Sequence, residues 1–399
     1  MRANLLMKKL DRWLGIPLVL LLGACLRVRD LFCRESTTDP GRLLVSKLSA
    51  VGDTVVLIPA LRALRRRYPA AQITFLCSSI NVDVTGCFPT VGGRRLVDDI
   101  ILWDLAAYAK KPWTLLPFLR SLRACRFDVT IDFEQWIRAT SLVTAVVGAP
   151  RRFGFRTKGQ HRHYAYNGTV AAPPQQHEVR NFLALAALAD ARDDDGAPRL
   201  ALPPDALAWA DAQLPPRTGG PRIAFHPGCG ATGRPREWPA AHYVELGRRL
   251  LAEHQATLVL TGGPGERDLA ERIRQALAAP SQTPNPKSEI QNAAGPTTFA
   301  QFAALLSRCD ILVCGNTGAL HIGAAAGTHV VGLHGPTNPN KWGPVGGDGL
   351  GDRGHTVLQS SIWCSPCLDL GFEYGCDTYP CMPLIEVARV YQAVAGLME

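Results

Sequence analysis

Asn316-Thr317-Gly318-Ala319-Leu320-His321 is continued by Ile322-Gly323-Ala324-Ala325-Ala326-Gly327 and then by His334-Gly335-Pro336-Thr337-Asn338-Pro339. It reads as a strand over Ile311 to Cys314, a glycine turn, a helix from about Gly318 to Ala326, a strand over Val330 to Leu333 and a proline-rich stop. Small residues fill the turn and the first helical turn, so a bulky ligand can approach unpaired backbone N–H groups there. The positive end of the helix dipole points at the same place, as a pyrophosphate group requires. An ordinary βαβ crossover with tight helix–sheet packing would use the same residues.

A second segment points the same way. Leu43-Leu44-Val45-Ser46-Lys47-Leu48-Ser49-Ala50-Val51-Gly52-Asp53 is a short apolar strand leading into a turn that carries a carboxylate. An amphipathic helix follows, with Leu57, Leu61 and Leu64 on one face, and stops at Tyr68-Pro69. Short apolar runs then recur at Ile73 to Leu76, Ile100 to Trp103 and Val129 to Phe133, at intervals suited to crossover helices. Arg151 to Tyr166 carries Arg151, Arg152, Arg156, Lys158, His161, Arg162 and His163; it reads as a solvated loop or as a grip on an anionic acceptor. Asn181 to Ala191 reads as a helix. Pro203-Pro204, Pro215-Pro216 and Gly219-Gly220-Pro221 bracket a linker, and a new α/β series starts at Arg222 to Phe225. In that series Ala240 to Glu253 and Glu266 to Leu277 are helices, Thr257 to Leu260 is a strand, and Ala279 to Ile290 is a polar insertion. Leu384, Val387, Tyr391, Val394 and Met398 give a closing helix one apolar face.

Four of these features, in this order, carry a resemblance. The strand–SxxGD–helix opening, His226-Pro227-Gly228 with Arg236-Glu237-Trp238-Pro239, the Thr261-Gly262-Gly263 turn and the NTGxxH–HGPT block resemble glycosyltransferase family 9, the heptosyltransferases of bacterial lipopolysaccharide. The likeness runs from about Gly41 to the C-terminus. It implies the GT-B fold class: α/β, with two Rossmann-like domains facing each other across a cleft. The segments are then 1–40 at the membrane surface, 41–205 for the acceptor and 206–399 for the nucleotide-sugar donor, ending in the closing helix. It also implies inverting transfer of a sugar, heptose from ADP-heptose first, onto an anionic cell-surface glycan or glycolipid.

Such a reaction needs a base for the acceptor hydroxyl and neutralisation of charge on the departing nucleotide diphosphate. Asp53 occupies the family's base position; read locally, it is also a good helix cap. Arg236 matches a basic position that contacts the pyrophosphate, and Thr232 in the preceding loop can donate to the same group. Asn316, Thr317 and Gly318 form the helix-terminus cradle, with His321 one turn along. Glu266 is placed for ribose hydroxyls or for simple first-turn helix charge. Arg151, Arg152, Arg156 and Lys158 are the acceptor-binding candidates. The best-known heptosyltransferases have aspartate where this chain has Asn316, which leaves the transferred sugar open. No DxD-type pair is placed to hold a catalytic metal, and no cofactor is expected. A nucleotide-sugar epimerase or hydrolase of the same fold, or an inactive binding protein, are the alternatives.

Composition sets the outer limits. With 399 residues, 47% hydrophobic and 19% charged, the chain is globular and long enough for two cores. Its net charge of +9 suits an anionic partner. No nucleic-acid-binding signature is present. Most of the twelve cysteines sit singly in apolar contexts. Cys364, Cys367, Cys376 and Cys381 are clustered with spacing that would serve a structural metal, two disulfides or free thiols. At the N-terminus, Trp13 to Leu26 is an apolar run flanked by Lys8, Lys9, Arg12, Arg27 and Arg29. It is short for a membrane span of about 20 residues. A cleaved signal, a lipoprotein signal at Cys25 and an anchor on the inner membrane face compete. Basic residues on both flanks favour the anchor, with the protein cytoplasmic, peripheral on that membrane, and with both cores beginning after Gly41.

Overall fold

The computed structural model describes residues 9, 11–32, 39–104, 111–193, 195–215, 217, 219–230, 233–279, 290–345, 354–368, 376 and 378–398. The chain divides into two units, Met1–Gly196 and Ala197–Glu399.

Apart from a short antiparallel pair, Thr90–Val91 with Arg94–Arg95, the strands of the first unit are β1 (Arg42–Ser46), β2 (Gln72–Cys77), β3 (Asp99–Leu102), β4 (Val129–Asp132), β5 (Arg151–Phe155) and β6 (Gly168–Val170). They form one sheet in the order β3-β2-β1-β4-β5-β6, and every pairing is parallel. Its helices are α1 (Gly15–Asp30), α2 (Val51–Arg67), α3 (Leu115–Ala124), α4 (Arg138–Val147) and α5 (Glu178–Ala187). Leu43, Leu44 and Val45 are buried because β1 lies mid-sheet with helices covering both faces. Register sets Leu43 opposite Ile73 on one side and Val129 on the other.

The second unit repeats the plan. Helix α6 (Pro204–Gln213) leads into β7 (Arg222–His226), α7 (Ala240–His254), β8 (Thr257–Leu260), α8 (Arg267–Ala278) and β9 (Ile290–Asn292). Next come α9 (Phe299–Ser307), β10 (Ile311–Gly315), α10 (Gly318–Ala325), β11 (His329–His334), β12 (His355–Gln359) and α11 (Val387–Gly396). The sheet order is β9-β8-β7-β10-β11-β12, again all parallel. Its core gathers Ile223, Phe225, Trp238, Leu258, Val313 and Val331, and α11 closes it with Val387, Val390 and Val394.

Both sheets therefore reverse direction beside their first strand, β1 against β4 and β7 against β10. At such a reversal the loops leaving the two strand ends part to opposite faces and open a crevice where ligands bind. Asp53 follows β1; Arg236 and Asn316 follow β7 and β10.

Three expectations are corrected. The basic stretch beginning at Arg151 is not only loop, because Arg151–Phe155 is strand β5, with Phe153 and Phe155 buried. The helix expected over Asn181 to Ala191 is α5, which begins earlier, at Glu178, and ends at Ala187. The core of the first unit does not begin at Gly41. Val19 and Leu26 of α1 are buried with Ala145, Ala165 and Tyr166, each such side chain contributing about 1.5–3 kcal/mol. Gly23 permits this contact, since a Cβ there would stand 2.4 Å from the Tyr164 carbonyl oxygen. Asp30 of α1 also neutralises buried Arg152, and Asp11 pairs with Arg138 at 2.9 Å.

The same unit buries a charge pair outright. Arg162 and Asp132 both have fully buried side chains, 2.6 Å apart, and Tyr166 donates its hydroxyl to Asp132 Oδ2 at 2.7 Å. Asp132→Asn should therefore strand a buried cation and cost about 3–5 kcal/mol of first-unit stability. Chemical denaturation checks this, and a double variant with Arg162→Met should lose less than the single.

Candidate active site

In each unit the candidate residues are presented by strand ends. In the first unit β1 ends at Ser46, and Lys47 to Ala50 turn the chain into α2. Ala50 caps that helix with φ 61°, a strained value for a residue with a Cβ that marks a turn held by its surroundings. Asp53 lies in the first helical turn, where the dipole favours a carboxylate. Its Oδ2 accepts from Lys47 Nζ at 3.0 Å. Lys47 Nζ also stands 3.5 Å from Glu134 Oε2, just beyond the end of β4. Glu134 Oε1 accepts from the backbone N–H groups of Leu48 at 2.8 Å and Ser49 at 2.7 Å. The turn that presents Asp53 is thus tied to the neighbouring strand across the reversal. Lys47 and Glu134 were not singled out in the sequence; their partners lie as far as 86 residues apart, and no local pattern signals that contact.

The four acceptor candidates separate. Arg151 begins β5 and so lies at the end of the sheet opposite Asp53, beside Asp190. Arg152 is buried, bonded to Asp30 and to the carbonyl oxygens of Ala149 and Ala165. Arg156 and Lys158, past the C-terminal end of β5, are exposed at the same end of the sheet as Asp53.

In the second unit the loop after β7 runs through Gly228 and Gly230 to a short turn, Arg234–Arg236, and then to buried Trp238. Thr232 lies outside the described residues. Arg236 donates from Nη1 to the carbonyl oxygen of Asn316 at 2.9 Å, which holds its guanidinium beside the start of α10. Gly315 makes this approach possible, because a Cβ there would stand 2.5 Å from the Arg236 carbonyl oxygen. Thr317 is the N-cap residue of α10, yet its hydroxyl does not cap the helix. Among the described residues Thr317 Oγ1 is buried without a hydrogen-bond partner. Uncapped helix N–H groups, an unused hydroxyl and an adjacent guanidinium form a cradle for an anion.

Around this cradle the remaining side chains are fixed. Asn316 donates from Nδ2 to the carbonyl oxygen of Trp342 at 3.0 Å, a bond an aspartate could not donate. His321 stands edge-on to the Trp342 ring. Glu266 accepts from Gly263 N at 2.7 Å and Gly230 N at 2.8 Å, so its carboxylate pins two glycine turns together. His226, bonded to Thr261 at 3.0 Å, is held below the ordinary imidazole pKa by burial, which Glu266 only partly opposes.

Cys364, Cys367, Cys376 and Cys381 line one small pocket with Pro336 and Tyr379 and are free cysteines. Among the described residues no group of three or more His, Cys, Asp or Glu is placed to hold a metal ion.

The family model of glycosyltransferase family 9 (heptosyltransferase) matches residues 115–376. Lipopolysaccharide heptosyltransferase 2 of Escherichia coli K12 is 27% identical over 319 residues, covering 76% of this chain and 85% of that protein. Lipopolysaccharide heptosyltransferase 1 of Pseudomonas aeruginosa is 25% identical over 338 residues, covering 82% and 86%. Among solved structures, E. coli ADP-heptose lps heptosyltransferase II superposes with TM-score 0.66 at 23% identity, over 90% of this chain and 98% of that one. A glycosyl transferase family 9 protein from Veillonella parvula gives TM-score 0.69 at 18% identity, over 90% and 97%. The two Rossmann-like units are thus those of the GT-B fold class.

Proposed function

The chain belongs to glycosyltransferase family 9, the heptosyltransferases, and from that premise we propose that it moves a heptose from ADP-heptose onto the lipopolysaccharide core. The relatives' activity supports the acceptor class. The observation that carries the donor is the open N-terminus of α10, with unpartnered Thr317 Oγ1 and Arg236 beside it.

In the proposed reaction the acceptor hydroxyl gives its proton to Asp53 while its oxygen bonds to the anomeric carbon. The bond from that carbon to the diphosphate breaks on the opposite face, and the nucleotide diphosphate leaves with the electron pair. The configuration inverts. Arg236, Thr232, Thr317 and the N–H groups from Gly318 onward neutralise the diphosphate, so no metal is required. Glu266 takes the ribose hydroxyls with the lone pairs its two amide bonds leave over. Asn316 and His321 face the sugar, and Arg156 and Lys158 hold the anionic acceptor.

The enzyme works on the inner membrane face. Among the described residues no helix is long and apolar enough to cross a membrane. Helix α1 docks through Gly15, Val19, Gly23 and Leu26 and leaves Leu14, Leu18, Leu21 and Val28 exposed. With Phe32, 85% exposed, and the flanking arginines, that stripe suits an acidic bilayer surface.

Asp53→Asn should abolish transfer and leave donor affinity intact, because the carboxylate acts only on the acceptor. Arg236→Ala should weaken donor binding by about 1.5–3 kcal/mol and lower turnover with it. Calorimetric titration with ADP, run beside a transfer assay, checks both; near-normal turnover of Asp53→Asn would remove it as the base. Leu18→Glu with Leu21→Glu should abolish sedimentation with acidic lipid vesicles while folding is kept, since both side chains are exposed. Undiminished sedimentation would discard the anchor.

A further inference from the structure

The side chains behind Asp53 form a unit that simple presentation of a carboxylate does not need. Lys47 is 4% exposed, Glu134 3% and Asp53 16%. A buried ammonium beside a single carboxylate would hold that carboxylate ionised and make it a poor proton acceptor. Protonating the carboxylate would also strand the cation in a dry site. Glu134 removes both difficulties by giving Lys47 a second counter-charge.

Glu134 cannot itself take the proton easily. Its Oε1 accepts three hydrogen bonds, from Leu48 N at 2.8 Å, Ser49 N at 2.7 Å and Ser49 Oγ at 2.8 Å, and each favours the ionised form. Arg156 and Lys158, at this end of the sheet, are exposed, and the other buried carboxylates there are already engaged. Asp132 is paired with Arg162, and Glu178 of α5 accepts from Gln135 and Asn181. Within the trio the outermost carboxylate, Asp53, is the one left to cycle. With Asp53 ionised the trio carries a charge of −1, and on proton uptake it becomes neutral with the Lys47–Glu134 pair intact.

Resting on the reading of Asp53 as the base, we infer that Lys47 and Glu134 are positioning residues that orient its carboxylate and set its basicity, Lys47 lowering it and Glu134 restoring it. Neither touches substrate. Their effect is on the pH at which the acidic limb of the rate profile falls, and the two act in opposite directions.

The test is the pH dependence of kcat/KM in the full-length protein. Lys47→Met leaves two carboxylates without their cation, so the limb should move up by about one to three pH units. Lys47→Arg should bring it most of the way back. Glu134→Gln keeps the shape of the side chain but not its charge, so the limb should move down. At neutral pH its turnover should fall roughly ten-fold with KM unchanged, as for a weakened base. A purely structural role would lower the amount of folded protein and leave the limb in place. If Lys47→Met does not fold, Glu134→Gln decides alone, and wild-type turnover in it would overturn the inference. So would an unmoved limb in Lys47→Met, or shifts of the same sign in both variants. Asp53→Asn separates the two levels. If it retains turnover, the base reading fails. If it is inactive while Lys47→Met keeps the wild-type limb, only the present inference fails.

Discussion

Everything at the site depends on one constraint, the reversal of strand order beside the first strand of each parallel sheet. A parallel strand needs a crossover helix to return, and helices that pack on opposite faces must leave the sheet in opposite directions. The gap between them exposes helix N-termini and strand-end side chains to the same small volume. Sequence decides what fills that volume. In the first unit it holds carboxylates and a lysine, suited to moving a proton; in the second it holds bare N–H groups, a hydroxyl and a guanidinium, suited to holding an anion.

Burial of charge is the second theme, and it is concentrated in the first unit. Arg62 reaches Asp193, Arg65 reaches Asp98, Arg152 reaches Asp30 and Arg162 reaches Asp132. These guanidiniums sit where aliphatic side chains would serve, and the forked donors of Arg65, Arg152 and Arg162 also satisfy backbone carbonyls. Replacing such pairs with apolar groups is often neutral in stability, so their value here lies in geometry. Arg162 in particular bonds the Glu134 carbonyl oxygen, which fixes the segment that carries the Glu134 carboxylate.

The same feature explains what could be read from the residues and what could not. Strands such as Leu43 to Ser46 and Ile311 to Cys314 announce themselves, because a strand buried on both faces is an apolar run closed by a glycine turn. The position of Asp53 at a strand–helix turn was legible for that reason, as was the start of α10 at Thr317–Gly318. Strand β5 was hidden because Arg151 and Arg152 open it, and Arg152 is tolerable through Asp30, 122 residues away, and the carbonyl oxygens of Ala149 and Ala165. Helix α1 looked like a detached membrane segment because its apolar residues face both ways. Only packing distinguishes buried Val19 from exposed Leu18. Lys47 and Glu134 stayed invisible for a similar reason, since their meaning lies in a contact between strand ends.

Asn316 is held in place by its own amide. Its amide donates to the Trp342 carbonyl oxygen, so the turn after β10 is stabilised by a bond that aspartate would replace with repulsion between oxygens. The residue keeps an oxygen that can accept from a sugar hydroxyl. Acceptor-dependent glycosyl transfer is read out by incubating the purified chain with labelled ADP-heptose, with and without lipopolysaccharide lacking its core heptose. ADP should be released only when acceptor is present, matched by label in the glycolipid. Equal ADP release without acceptor, or donor binding with no release at all, would contradict it.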